Sequence, residues 1–279
     1  MPNEKPKILF VYYMEPELEA TWNDGLASAL SILENDFAID KVNLFNQTSF
    51  HGGYDFVLGW GGWRSPADNY LHQLRILDKK TPTGLCIGGN AIPPFLMDDH
   101  TILFYETEWY KNTISSHKHI KHAFGVNRKV FRPLEKADFE ASQAFPLWDY
   151  VSVGSFSRWK RHEKILNKTG KRLVVGQIQK NNLPESLDII GNLIVGGVAV
   201  SDMQNPEALN AIYNLSKVVY IPAEVIGGGE RAVLEARSAG AKIEVDNDNP
   251  KLLSLVEGPI WGAEYYAQEL KEGILSCLA

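Results

Sequence analysis

Residues 220–240 read Tyr-Ile-Pro-Ala-Glu-Val-Ile-Gly-Gly-Gly-Glu-Arg-Ala-Val-Leu-Glu-Ala-Arg-Ser-Ala-Gly. A β-type run ends at Pro222. Gly227, Gly228 and Gly229 follow, then helix formers from Glu230 to Ala239, closed by Gly240. Glycines admit positive φ and let a ligand come close to the main chain. The first amides of a helix have no intrahelical partner and sit at the positive end of its dipole. Strand, glycine loop and helix start together can cradle an anion, phosphate in particular. The same residues would also make a plain tight turn with Gly240 as C-cap, and a glycine triplet alone does not choose between the two.

Other candidate groups are scattered. Lysines and arginines gather at 118–132 and 158–172 in a chain of formal net charge −6. That balance gives no general drive toward nucleic acid or anionic membrane. His117, His119 and His122 alternate irregularly with Lys118 and Lys121, which suits a solvated basic edge better than a metal site. Trp60-Gly61-Gly62-Trp63-Arg64 is an aromatic, glycine-bearing loop that could hold a sugar ring or base, or simply pack. Cys86 and Cys277 lack metal-ligand spacing and read as free thiols of a reducing, cytoplasmic compartment. No apolar run reaches the roughly 18 residues of a membrane span, and the first residues lead straight into a strand with no secretory signal.

The elements that must position these groups alternate. Apolar runs at Lys7–Tyr13, Phe37–Leu44, Tyr54–Trp60, Thr83–Ile87 and Thr101–Tyr105 read as strands, with helices over Asp24–Glu34 and Asp68–Asp78, and His119–Phe124 leads to the turn Gly125-Val126-Asn127. Met14–Asn23 reads as a loop. After Pro133 and a polar stretch with Pro146 a second series begins. Its strands are Tyr150–Val153, Arg172–Gly176, Lys217–Ile221 and Lys242–Val245. Its helices are Lys160–Lys168, Pro206–Asn214 (capped by Asn205) and Pro250–Leu255. Leu187–Ile190 and Leu193–Val195 are short apolar runs. An amphipathic tail helix covers Trp261–Leu278. Such alternation predicts βαβ units with parallel sheets, whose ligands bind at the carboxyl ends of the strands. The expected division is 1–140, 141–262 and a tail, 263–279, that either returns to the first half or offers a dimer face.

Three ordered segments of the second half resemble the donor-binding domain of GT-B glycosyltransferases, most closely family four. Gly125-Val126-Asn127-Arg128-Lys129-Val130-Phe131-Arg132-Pro133 is similar to the family's Asn-Gly-Val-Asp-x-x-x-Phe-x-Pro. Val151-Ser152-Val153-Gly154-Ser155-Phe156-Ser157-Arg158-Trp159-Lys160-Arg161 is similar to its Val-Gly-Arg-Leu-x-x-x-Lys-Gly loop. Leu234-Glu235-Ala236-Arg237-Ser238-Ala239-Gly240 is similar to Leu-Glu-Ala-Met-Ala-Cys-Gly. The likeness covers roughly residues 120–250. It implies an α/β GT-B fold, two Rossmann-like domains with parallel sheets facing across a cleft, and sugar transfer from a nucleoside-diphosphate sugar, UDP or GDP. Lys160 takes the position of the lysine that neutralises the donor diphosphate. Glu235 takes that of the glutamate bonding the ribose hydroxyls. Arg158, Lys160, Arg231 and the amides of Gly227, Gly228, Gly229 and Glu230 could serve the diphosphate without an essential divalent metal.

Departures from the pattern fall at Ser155, where the family has an arginine, and at Gly227, where it has a glutamate. Arg158 could replace the first. Glu230 is the nearest carboxylate to the second, but five residues from Glu235 it lies about 140° away around a helix; it would meet the sugar or only complement the dipole. The family histidine after the strand ending Cys86-Ile87-Gly88-Gly89-Asn90 has no counterpart. An inverting transfer needs a base, for which Asp24 is one candidate and a helix cap otherwise. Glu106 and Glu108 beside Trp109 are alternatives, and His51 is weaker. Two other readings stand beside the leading one: a viral-type DNA glycosyltransferase acting on hydroxymethylated bases, with Trp60 or Trp63 as a wedge, and a non-catalytic nucleotide-sugar-binding protein on the same frame.

Overall fold

Buried apolar runs and amphipathic helices alternate along the whole chain, and in the computed structural model they form two parallel sheets. The structure describes residues 4–46, 49, 52–61, 65–87, 100–135, 147–202 and 205–279. The chain divides into two compact units, Met1–Gly125 with Trp261–Ala279, and Val126–Ile260.

The first unit runs β1 (Lys7–Tyr12), α1 (Pro16–Glu19), α2 (Gly25–Leu33), β2 (Ala38–Asn43), β3 (Phe56–Trp60), α3 (Pro66–Leu77), β4 (Thr83–Ile87), β5 (Ile102–Tyr105), α4 (Glu108–Thr113) and β6 (Ile120–His122). The sheet order is β2-β1-β3-β4-β5-β6, and every pairing is parallel. Central strands β4 and β5 are buried at every residue, as a sheet covered on both faces requires. The second unit runs β7 (Trp148–Val153), β8 (Arg172–Gly176), α5 (Leu183–Val195), β9 (Ala199–Asp202), α6 (Pro206–Asn214), β10 (Ser216–Ile221), α7 (Glu230–Ser238), β11 (Ile243–Val245) and α8 (Pro250–Glu257). Its order is β11-β10-β7-β8-β9, again all parallel. The order reverses direction between β7 and β10, which makes the gap beyond their carboxyl ends the topological switch point.

The last helix, α9 (Ala263–Leu278), belongs to the first unit. Its buried stripe of Tyr266, Ala267, Leu270 and Ile274 shares one core with Leu26 and Leu30 of α2 and with Phe104. The spacing is that of one helical face.

Several elements differ from the sequence reading. The helix expected over Lys160–Lys168 is two 3₁₀ turns, Arg158–Lys160 and His162–Asn167, broken where Arg161 turns left-handed at φ 50°. The runs Leu187–Ile190 and Leu193–Val195 are parts of one helix, α5. The Met14–Asn23 loop contains the single turn α1, and α4 and β9 were not anticipated. β9 has four residues and none is buried, so it lacks the apolar signature of a central strand.

Candidate active site

The loops leaving β7 and β10 meet at the switch point of the second sheet. Gly154 follows β7, and the stem of Lys160 lies over it: a Cβ at 154 would come within 3.0 Å of Lys160 Cδ. Lys160 is half-buried, and burial pushes its ammonium down to about 8. The charge of Glu230 opposes that shift, while Arg231 and Lys251 add to it. From β10 the chain passes Glu224, whose N–H donates to Trp159 O at 2.8 Å. Gly227 then packs on that same carbonyl, where a Cβ would sit 2.3 Å from Trp159 O. Gly228 and Gly229 have φ of 72° and 112°, values that side chains resist. Gly229 is the N-cap of α7 and offers no side chain to its first-turn amides. Lysine loop, glycine loop and helix start are therefore one constellation, tied by backbone contacts.

Glu230 is placed otherwise than its sequence position suggested. It is buried, with Oε1 2.7 Å from the ammonium of the fully buried Lys251. Lys251 is the second residue of α8. Asn249 caps that helix, accepting from Leu252 N–H at 3.1 Å and donating to Ala223 O at 2.7 Å. The sequence held a signal for it: a lysine in the first turn of a helix opened by Asn249-Pro250 is at the wrong end of the dipole and needs an anion. Glu235, farther along α7, has a different neighbour. Its Oε2 accepts from the buried Tyr213 hydroxyl at 3.3 Å, and burial and that carboxylate hold the phenol protonated. Arg158 is exposed and stacks its guanidinium 4.3 Å from the Trp159 ring centroid. Arg231 is exposed at the first turn of α7.

Arg161 holds the lysine loop in place. Its Nε donates to Pro222 O at 2.6 Å, and its two terminal nitrogens form a fork on Asp248 at 2.7 and 2.8 Å. Bidentate pairs of this kind fix geometry as well as charge. Behind it, buried His162 lies 2.9 Å from Ser152 Oγ and 3.1 Å from Ser155 O; burial, then the charge of Lys160, pushes its imidazole down to about 4.

In the first unit, Asp24 is the N-cap of α2: Oδ1 accepts from Ala27 N–H at 3.0 Å. Glu106, half-buried after β5, accepts at its main-chain carbonyl from His122 Nε2 at 3.1 Å. Burial, then the charge of Glu106, raises the Cys86 thiol. The Tyr266 phenol is raised by burial, then by Cys86, Glu106 and Asp24. Cys86, Glu106 and Asp24 thus all bear on the Tyr266 phenol. Trp60 stacks on Trp22 at 6.0 Å and Trp22 on Phe10, while Tyr12 meets Trp22 at a tilt of 38°. Glu108 is exposed and 3.4 Å from Lys111. His51, Gly62–Arg64 and Gly88–Asn90 lie outside the described residues. The histidines are not all on a solvated edge: His117 is buried between the carbonyls of His119 and His100, each at 2.8 Å, and burial lowers His122. Among the described residues no three His, Cys, Asp or Glu side chains gather as a metal site.

No protein-family model and no curated protein matches the chain. Solved structures do. The sucrose-phosphate synthase of Thermosynechococcus elongatus superposes with a TM-score of 0.68 at 12% identity, over 98% of this chain and 90% of that one. Anabaena HepE in complex with UDP and glucose does so with a TM-score of 0.63 at 13% identity, over 98% and 90%. A UDP-forming α,α-trehalose-phosphate synthase of Burkholderia vietnamiensis gives 0.58 at 10%, over 99% and 96%. The fold is GT-B. Residues in the lysine and glycine loops differ from the family-four pattern that the sequence resembles. Arg161 stands where that pattern has the glycine after its lysine, and it is the one non-glycine of positive φ among the described residues. The strain of the left-handed region for a side-chain-bearing residue is offset by the fork on Asp248. At Gly227 the main chain of Trp159 occupies the space a glutamate side chain would enter.

Proposed function

We propose that this chain is a glycosyltransferase that moves a sugar from a nucleoside-diphosphate sugar, UDP-linked, to a hydroxyl acceptor. The observation that carries the reading is the half-buried Lys160 joined to the glycine loop and the amino end of α7 at the switch point of a GT-B sheet. Complexes of a similar structure with UDP and with UDP-glucose support it. When the acceptor oxygen bonds the anomeric carbon, the bond from that carbon to the phosphate oxygen breaks and the nucleoside diphosphate leaves with the electron pair. Lys160, the amides at Gly228–Glu230 and the dipole of α7 stabilise that charge. Glu235, steadied by Tyr213, takes the ribose hydroxyls. Glu106 takes the acceptor proton, since Asp24 is engaged as the cap of α2. Fixed cation and amides do the work of a divalent metal, so a chelator leaves turnover unchanged.

The test is a donor panel. UDP- and GDP-sugars are incubated with the protein and nucleoside diphosphate release is followed, with glycan acceptors, with small-molecule acceptors, and with duplex DNA carrying hydroxymethylated bases. Release from a UDP-sugar alone among the donors is the expected result; stimulation by that DNA alone would assign the acceptor to nucleic acid. Gly227 favours one rival, a binding protein without turnover, because no side chain there holds the transferred sugar. Tight UDP binding with no release from any donor and acceptor pair would establish that rival.

A further inference from the structure

The outward face of α5 is apolar where a surface helix should be polar. Leu183, Leu187, Ile194 and Val195 are 45%, 52%, 59% and 90% exposed. At 100° per residue they fall, with Pro184 and Gly191, on one arc that carries no charge; Asp188 and Asn192 border it. The inner face is already used, with Ile189, Ile190 and Leu193 packed in the core of the second unit. A helix apolar on both faces requires a partner on the second one.

Gly191 narrows what that partner is. A glycine in a helix interior is less stable than alanine by roughly 1 kcal/mol in general. Nothing among the described residues calls for it: a Cβ at 191 would meet none of their atoms within 4 Å. Leu183, Leu187, Gly191 and Val195 recur every four residues and so form one ridge, with its smallest member between two large ones. Two such ridges related by a two-fold axis at Gly191 interdigitate in the commonest crossing class of helices, with the glycines letting the axes approach. Leu187 of one copy then meets Val195 of the other, and the ridge is complementary to itself. The size points the same way: an interface of standard size buries ~800 Å² per partner, a little over half of it apolar, and four large side chains 45% to 90% exposed on one arc supply an apolar centre for it.

We infer that α5 is a homodimer interface, packing on α5 of a second copy around Gly191. Sedimentation and light scattering of the full chain test it, with Gly191→Leu and Val195→Glu beside the wild type. The wild type is expected at twice the 31.3 kDa chain mass. Both variants should be monomers, with dissociation constants raised at least tenfold, unchanged circular dichroism and unchanged UDP binding. Gly191→Leu is the more telling, since removing a mid-helix glycine should raise the melting temperature of the monomer while abolishing the dimer. A monomeric wild type at every concentration would overturn the inference. So would a dimer that survives both substitutions, or a monomeric wild type that binds lipid vesicles while Val195→Glu does not.

Discussion

Lys160 is a cation under strain, and its chemistry follows from that. With its ammonium pushed down to about 8 by burial, it is charged at neutral pH and loses its charge as pH rises through 8. UDP affinity should therefore be level below pH 8 and fall with up to tenfold loss per unit above it. Calorimetry in buffers of different ionisation enthalpy should show proton uptake on binding near that pH. Lys160→Ala should weaken UDP about 10- to 100-fold, the scale of one charged hydrogen bond. Lys160→Arg, charged throughout, should bind with no break at pH 8; a break that persists in it would move the titration to another group. The neighbouring pair adds a second prediction. Lys251→Met leaves Glu230 buried without its cation, which typically costs about 3–5 kcal/mol. Glu230 then draws on Lys160, so the break in UDP affinity should move to higher pH. Glu230→Gln with Lys251→Met should restore most of the stability in chemical denaturation. If the double variant is no more stable than Lys251→Met alone, the pair is not coupled as the structure shows it.

At the scale of elements, the strands and capped helices were legible because their signals are local. Asn205-Pro206 and Asn249-Pro250 open helices by their own chemistry, and β4 and β5 are unbroken apolar runs. The glycine loop was legible for the same reason. The loop after β7 was not, because its shape is set from outside: Arg161 reaches Pro222 O and Asp248, groups far off in sequence that no periodicity reveals. The partner of Glu230 was legible only as a need, since Lys251 at the amino end of α8 calls for an anion without saying which one. His162, at the centre of that loop, makes the dependence measurable. Its folded imidazole titrates near 4 against an ordinary 6.5, so the unfolded chain binds the proton first. Its share of stability is intact above pH 6.5 and drains away as pH falls toward 4, on the order of 3 kcal/mol in all. Thermal melts from pH 7 to 4.5 should fall more steeply for the wild type than for His162→Asn; parallel slopes would deny His162 this part.

For the whole molecule, the decisive fact is that the first unit is discontinuous. Its sheet is complete by His122, but part of its core, Tyr266, Leu270 and Ile274, arrives only after the second unit has been made. Both parallel sheets were legible from alternation alone, whereas the destination of the tail was not. An amphipathic stripe states that a helix needs an apolar partner and does not say which one. Because α9 supplies that core, its loss should be felt in the first unit and not in the second. Leu270→Ala removes a fully buried side chain and should cost about 2–5 kcal/mol. Hydrogen exchange read by mass spectrometry should show β4, β5 and α2 losing protection, while β7, β10 and α7 keep theirs. On the proposed function, with the donor held by Lys160 and the glycine loop and the acceptor proton taken by Glu106, UDP should retain its affinity while sugar transfer declines. Equal loss of protection in both units would show that the chain unfolds as a single cooperative body, and that donor binding cannot be separated from the state of the first sheet.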